Sequence, residues 1–459
     1  MQFFPFYAIF AEKLEPLKFI LSNMRHRIIS LAFLTVGWSL IICAQTSRTE
    51  LLSHLELASG NYCNYPIPTG NVTLPPDGYE PFYITHYGRH GARYMTDDDA
   101  YKYLVSKLDS AKDMGLLTTL GEDALRRLKT AQANACLRDG DLTLLGARQH
   151  RAIAHRMCVN YPSLMTQHLT VKANSSTVRR CMLSMANFCM ELKSMNPQLI
   201  VNMNSSEHDM YYLTPNDSIE IPNSEKDGEL YDRLSEFRHK MLNGRHQMAL
   251  IFNDTVKARE FIDPTTLADH LWNVTSDMQC LPELGLTFND LFTEDELIDG
   301  FRTYNASWCL WEGLMPGAQP SYYAIFPLLK NFLDEAVEMV DSGKSGVRLR
   351  FGHDSVLLPF TYILGLREAI HATDDMENLH HSFAIYRLIP MAGNVQWVFY
   401  RKPGNDDVLV KFLLNENETS IPITTDIYPF YHWKNVANYY STMLRNANIT
   451  YKKNLNENK

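Results

Sequence analysis

The stretch Thr85-His-Tyr-Gly-Arg-His-Gly-Ala-Arg-Tyr94 places two histidines, two arginines and two glycines within ten residues. It follows the apolar run Pro81-Phe-Tyr-Ile84 without a break. An apolar run punctuated by glycine reads as a buried strand that leaves the sheet in a tight turn. Imidazole and guanidinium groups are therefore concentrated at a strand exit. The pattern recurs far downstream, where Val347-Arg-Leu-Arg-Phe351 reads as a strand. Gly352-His353-Asp354 follows it, and then a helical apolar run from Val356 to Leu366. In a doubly wound sheet, ligands sit beyond the carboxyl ends of strands, where the strand order switches. His90 and His353 are thus expected to meet in space although they are distant in the chain.

The sequence around these two units alternates strand-like and helix-like pieces. Asp97 to Asp113 and Thr119 to Leu137 read as helices, the second opening Thr119-Leu-Gly-Glu122 with capping-box spacing. Leu145 to Asn160 reads as a helix ended by Tyr161-Pro162, Leu169 to Ala173 as a strand, and Thr177 to Leu192 as a helix. Such alternation predicts an α/β fold: a three-layer, doubly wound, mainly parallel sheet flanked by helices. Residues 205–318 break the alternation. Tyr231 to Leu242, Pro264 to Thr275 and Thr293 to Thr303 read as helices between turn-rich segments, which predicts an inserted α-helical domain. The α/β core resumes with a long helix from Ser321 to about Met339. A hairpin follows, with Gln396 to Arg401 and Val408 to Leu414 flanking Pro403-Gly-Asn-Asp-Asp407. A terminal helix runs from Trp433 to Met443. The expected domains are 1–44 (N-terminal extension and signal peptide), 45–204 (first part of the core), 205–318 (helical insertion) and 319–459 (second part of the core).

Composition narrows the function classes. Of 459 residues, 45% are hydrophobic and 21% charged, enough apolar material for a sizeable core. The formal net charge of −9 carries no basic stripe and argues against a nucleic-acid partner. Met24-Arg-His-Arg27, the apolar run Ile28 to Ile42 and the small residue Ala44 have the order of a secretory signal peptide starting at Met24. The run is short for a membrane span, so no stable span is expected after cleavage, and the expected location is secreted or periplasmic. Seven cysteines lie beyond that segment (Cys63, Cys136, Cys158, Cys181, Cys189, Cys280 and Cys309), and none has zinc-like spacing. Glycosylation sequons stand at Asn71, Asn204, Asn253 and Asn448 among others.

The two strand-end clusters share one chemistry. A neutral imidazole is a nitrogen nucleophile near neutral pH. Arginines present planar charged forks to phosphate oxygens, and glycines let backbone N–H groups approach an anion. A carboxyl at Asp354 could protonate a leaving oxygen. Together they suit phosphoryl transfer through a phosphohistidine.

At this point the chain resembles a known family. Arg89-His90-Gly91-Ala92-Arg93 matches the R-H-G-x-R motif of the histidine acid phosphatases, at the same place after the first core strand. Leu142-Thr-Leu-Leu-Gly146-Ala-Arg-Gln149 resembles their helix before the second core strand. Ser175-Ser-Thr-Val-Arg-Arg180-Cys-Met-Leu-Ser184 resembles the segment carrying a further phosphate-binding arginine, and Gly352-His353-Asp354 their H-D motif. Asn394 to Arg401 and Val408 to Asn415 look most like the branch of multiple inositol polyphosphate phosphatases and phytase-like members. The resemblance spans roughly residues 60 to 440. It implies a phosphoglycerate-mutase-like fold and a phosphoric monoester hydrolase without cofactor or metal. Its substrate would be a phosphorylated small molecule, an inositol polyphosphate such as phytate.

Residue by residue, the resemblance implies that His90 is the nucleophile and Asp354 the proton donor. Arg89, Arg93, Arg180 and His353 would bind phosphate. Arg179 is the alternative third arginine, and the spacing to Ser184 favours Arg180. The chain departs from the inositol polyphosphate branch in reading His353-Asp354-Ser355 where that branch has H-A-E. A general-specificity acid phosphatase and a phosphoglycerate-mutase-like phosphotransferase are the alternatives. Outside the motif set, His86 is read as a pocket-lining or backbone-satisfied histidine. Arg148, His150 and Arg151 are read as a solvated helix face, and His380-His381 as a loop pair rather than a metal site.

Overall fold

A computed structural model describes residues 48–452 apart from 71, 166 and 167. The predicted signal peptide therefore lies outside the described residues, as does Asn71. The chain divides into residues 1–53, of which 48–53 are described and helical, and a unit from His54 to Lys459 that carries everything below.

The element order explains how two remote motifs meet. A 3₁₀ segment, Leu55–Tyr62, precedes strand β1 (Glu80–Arg89). Helices α1 (Asp99–Asp113), α2 (Thr119–Ala135) and α3 (Leu144–Asn160) follow, then β2 (Thr170–Ser175), α4 (Arg179–Met195) and β3 (Ile200–Ser205). From Ser206 to Ser345 there are helices and turns only, among them α5 (Asp227–Met241), α6 (Arg245–Ile251), α7 (Pro264–Asp277), α8 (Glu294–Trp311) and α9 (Phe326–Ser342). Then come β4 (Gly346–Gly352), α10 (Asp354–Ile363), β5 (Asn394–Lys402), β6 (Asn405–Leu414), β7 (Asn417–Glu418), β8 (Phe430–His432) and α11 (Trp433–Asn446).

The strands form one mixed sheet in the order β3-β2-β4-β1-β5-β6-β7, with β8 also on β6. β3, β2, β4 and β1 run parallel, and from β5 onward the pairing is antiparallel. The sheet is thus α/β and flanked by helices as expected, but only half of it is parallel. Register fixes the centre: Arg89 of β1 pairs with Gly352 of β4. The residues that follow, His90 and His353, must leave the sheet side by side. β1 and β4 are buried along nearly their full length, as strands of a sheet covered on both faces are.

Several local expectations shift. Strand β3 was missed because Ile-Val-Asn-Met-Asn-Ser is half polar; it is an edge strand with little burial to encode. Helix α2 is capped one residue earlier than read, by Thr118, whose hydroxyl accepts from the Gly121 amide at 3.0 Å. The hairpin turn contracts to Pro403-Gly404, because Lys402 already pairs with Asn405 and Gly404 takes φ 74°. His150 is not on a solvated face. It is buried with its ring 5.6 Å from that of Phe351, while Arg148 and Arg151 are exposed. The seven described cysteines are all free thiols, and no described helix is long and apolar enough to cross a membrane.

Candidate active site

The loop after β1 is held by packing so close that it excludes side chains. A Cβ on Gly91 would lie 2.5 Å from the Gly146 carbonyl oxygen, and one on Gly146 would lie 2.3 Å from that of Ala92. The N-terminus of α3 thus presses directly on Gly91-Ala92. Thr143, its cap, donates to the Ala92 carbonyl at 3.0 Å and accepts from the Gly146 amide at 3.2 Å. The Gly91 amide donates to Ser184 Oγ (3.1 Å) and the Ala92 amide to Gln149 Oε1 (2.8 Å). The sequence reading assigned such amides to an anion; here the side chains of Ser184 and Gln149 occupy them. The glycines serve close approach rather than an unusual φ.

His90 is buried. Its amide donates to the Gly352 carbonyl at 2.9 Å. Its Nδ1 lies 2.9 Å from the Gly91 carbonyl. A carbonyl only accepts, so Nδ1 carries the proton and Nε2 keeps its lone pair. Burial, and then repulsion from Arg89, Arg93 and Arg180, hold the His90 pKa well below 6.5. The rings of His90 and His353 stand 5.8 Å apart, edge to face.

His353 is the N-cap of α10. Its amide donates to Tyr87 Oη at 3.1 Å, and that hydroxyl donates to the Leu213 carbonyl at 3.1 Å. Its Nδ1 is 3.4 Å from Arg180 Nη2 and its Nε2 3.1 Å from Ser176 Oγ. A guanidinium only donates, so Nδ1 is the acceptor and the ring is neutral with its proton on Nε2. Burial, then Arg180, lower its pKa to about 4.

Asp354 opens α10, the end of a helix that favours a carboxylate. Its Oδ2 pairs with Arg89 Nη2 at 2.6 Å and accepts from Asn61 Nδ2 at 3.0 Å, and its Oδ1 accepts from the Ser355 amide at 3.1 Å. Burial opposes its ionisation, but Arg89, Arg93 and His353 outweigh it and hold the carboxyl below its usual range. Arg89 is fully buried and also donates to the carbonyls of Asn61 (2.5 Å) and Ile389 (2.7 Å). Arg93 lies over the Tyr62 ring, 5.3 Å from its centroid, and donates to the Tyr94 carbonyl at 3.0 Å.

Arg180, in the first turn of α4, turns inward to His353. Arg179 turns outward, exposed and 3.1 Å from Asp141. His86 stays outside the cluster, buried between Phe188 and Phe351, with its pKa pushed down to about 3 by burial. His380 and His381 stack at 3.9 Å on a 3₁₀ turn; no described group of three ligating side chains could hold a metal ion.

Sequence reasoning missed Asn61, Tyr62 and Ser176. Asn61 and Tyr62 sit on the 3₁₀ segment, kinked at Gly60 (φ 61°), which shows no periodicity. No sequence signal marks them.

No family model matches this chain, and no curated protein matches it by sequence. Solved structures match it in three dimensions. The multiple inositol polyphosphate phosphatase of Bifidobacterium longum, in complex with inositol hexasulfate, gives a TM-score of 0.68 at 18% identity, covering 82% of this chain and 96% of that one. The same protein in complex with phosphate gives 0.66 at 18% identity, covering 84% and 98%. The phytase from D. castellii gives 0.58 at 16% identity, covering 84% of each chain. The chain has the fold of these phosphatases.

Proposed function

We propose that the protein is a phosphoric monoester hydrolase of the histidine acid phosphatase type, acting through a phosphohistidine on inositol polyphosphates such as phytate. The observation that carries this reading is the Arg89–Gly352 strand pairing, which sets His90 beside His353-Asp354 and joins Arg89 to Asp354 at 2.6 Å. The substrate class is supported by the likeness to an inositol polyphosphate phosphatase and a phytase.

In this reading Arg89, Arg93 and Arg180 clamp the phosphoryl oxygens, and neutral His353 turns its one N–H, on Nε2, from Ser176 Oγ to them. His90 Nε2 attacks phosphorus as the ester P–O bond breaks, and Asp354, protonated in the complex, gives its proton to the leaving oxygen. Water then attacks the phosphohistidine, yielding its proton to Asp354 and releasing inorganic phosphate. The protein contributes positioning and fixed charge, which are what phosphoryl transfer most needs. We also assign residues 205–318 as the far wall of the pocket, and export to the segment from Met24.

The test compares phosphate release from phytate, a sugar phosphate and an aryl phosphate by wild type and His90→Ala. Rapid quenching of a labelled substrate should trap an acid-labile, base-stable phosphoprotein in wild type only. Turnover that survives His90→Ala would refute the mechanism; wild type inert on all three substrates would refute the activity.

A further inference from the structure

The arginines of the clamp are held in different ways. Arg89 pairs with Asp354 and donates to two carbonyls. Arg93 lies over the Tyr62 ring and donates to the Tyr94 carbonyl. Arg180 is half-buried, and its one hydrogen bond among the described residues is the 3.4 Å contact of Nη2 with His353 Nδ1. Its Nε is buried with no partner among those residues. A long side chain with so few polar partners needs a steric seat to stay in one place.

That seat is Gly140, a buried residue with φ 64° in the loop between α2 and α3. A Cβ on Gly140 would lie 2.9 Å from Arg180 Nη1, while the nearest backbone atom outside its own chain neighbours, Thr96 Cα, would be 3.9 Å away. The guanidinium therefore rests against bare backbone at the one point where a side chain would displace it. The loop is in turn tied to the chain that leaves β1. The Gly140 amide donates to the Met95 carbonyl at 2.7 Å, and the Tyr94 amide to the Asp141 carbonyl at 3.0 Å. Arg93 and Leu142 form an antiparallel bridge, and Arg138 Nη1 donates to Tyr94 Oη at 2.6 Å.

We infer that Gly140 is a positioning residue for the reaction: through it the α2–α3 loop holds Arg180 in register with His90 and Arg93, so that arginines from two separate units close on one phosphoryl group. The inference rests on the reading of Arg180 as a phosphate ligand. A methyl group on Gly140 would have to push Nη1 away by about half an ångström to reach ordinary contact. The His353 contact already stands at the long limit of hydrogen bonding and would not survive a shift away from the ring.

The test is a double-mutant cycle on wild type, Gly140→Ala, Arg180→Ala and the double variant. It reads kcat/KM for phosphate release from phytate, and the Kd of sulfate by calorimetry. Gly140→Ala should lower kcat/KM by roughly tenfold and weaken sulfate binding by a similar factor. In the Arg180→Ala background the same change has no guanidinium to displace and should alter both by less than about threefold. Alanine at positive φ is strained in both backgrounds, so a fall in melting temperature common to both cannot imitate this difference. Equal losses in the two backgrounds, or Gly140→Ala within about threefold of wild type, would overturn the inference. Arg180→Ala at wild-type activity would instead remove the clamp reading on which it rests. If Gly140→Ala does not fold, Gly140→Asn takes its place in the cycle, since asparagine tolerates left-handed backbone and carries the same Cβ.

Discussion

Arg179 and Arg180 are adjacent in sequence, and substituting each should have very different effects. Arg180 Nη2 lies 3.4 Å from His353 Nδ1 inside the cluster, whereas the Arg179 side chain is 67% exposed beside Asp141. A guanidinium about 4 Å from a phosphoryl charge is worth about 4 kcal/mol at an effective dielectric near 20. Hydration of the emptied space returns part of this, leaving about 2–4 kcal/mol for Arg180→Ala, or roughly 30- to 1000-fold in kcat/KM. Arg180→Lys should recover only part, because an ammonium lacks the fork. Arg179→Ala removes an exposed pair and should cost less than about threefold. A second readout separates charge from packing. Arg180 is one cause of the low pKa values of His90 and His353, so its loss raises both. His90 must be neutral to attack, so the acid limb of the kcat/KM profile should move to higher pH. Initial rates of phosphate release from phytate and an aryl phosphate across pH, with melting curves as a folding control, provide the assay. If Arg179→Ala loses more activity than Arg180→Ala, or if Arg180→Ala stays within about threefold of wild type, the assignment of the clamp fails.

Asp354→Asn should slow phytate hydrolysis by roughly 10²- to 10⁴-fold, and hydrolysis of an aryl phosphate with a good leaving group much less, since only a poor leaving group needs the proton; equal losses on both would count against an acid role. Gly91→Ala should lower stability by about 1–3 kcal/mol or prevent folding, because its Cβ meets backbone of α3 at 2.5 Å, as thermal or denaturant melting would reveal. Tyr87→Phe leaves the partly buried His353 amide without its 3.1 Å acceptor and should cost about 1–3 kcal/mol of stability, with a loss of activity as His353 drifts; an unchanged midpoint would show that the amide finds another partner.

What was legible in the sequence was what local chemistry writes there. Apolar runs ending in Gly-Arg-His and Gly-His-Asp mark buried strands with polar exits, and the pattern from Thr293 to Thr303 marks a helix, which the structure shows as α8 opened by a capping box at Thr293 and Glu296. The α/β class follows from the alternation of strand and helix patterns. The register that sets Arg89 against Gly352 does not, because it depends on sheet order, which no local pattern specifies. The same limit hid Asn61, whose amide reaches an acid 293 residues away. It also hid the inward turn of His150, whose helix has charged neighbours on either side. The antiparallel half of the sheet was visible only as a hairpin, since nothing in Asn394 to Lys402 states that β5 lies against β1.

In the proposed mechanism Asp354 is the acid, and the free site holds it in the wrong protonation state for that role. Its carboxylate is paired with Arg89, and three arginines surround the cluster with positive charge. A phosphate ester changes this balance as it binds. Its oxygens compete with Asp354 for Arg89 and place two negative charges beside the carboxyl. Both changes favour the protonated acid, so the Asp354 pKa must rise on binding and the proton must be taken up with the substrate. His90 moves in the same direction, since the arginines that depress its pKa become neutralised. Its anchor to the Gly91 carbonyl still leaves Nε2 as the free nitrogen. The pH dependence of kcat should therefore differ from that of kcat/KM, the first reporting a raised Asp354 in the complex and the second the depressed groups of the free protein. Coincident profiles would mean that phosphate does not displace Asp354 from Arg89, and that the proton reaches the leaving oxygen by another route.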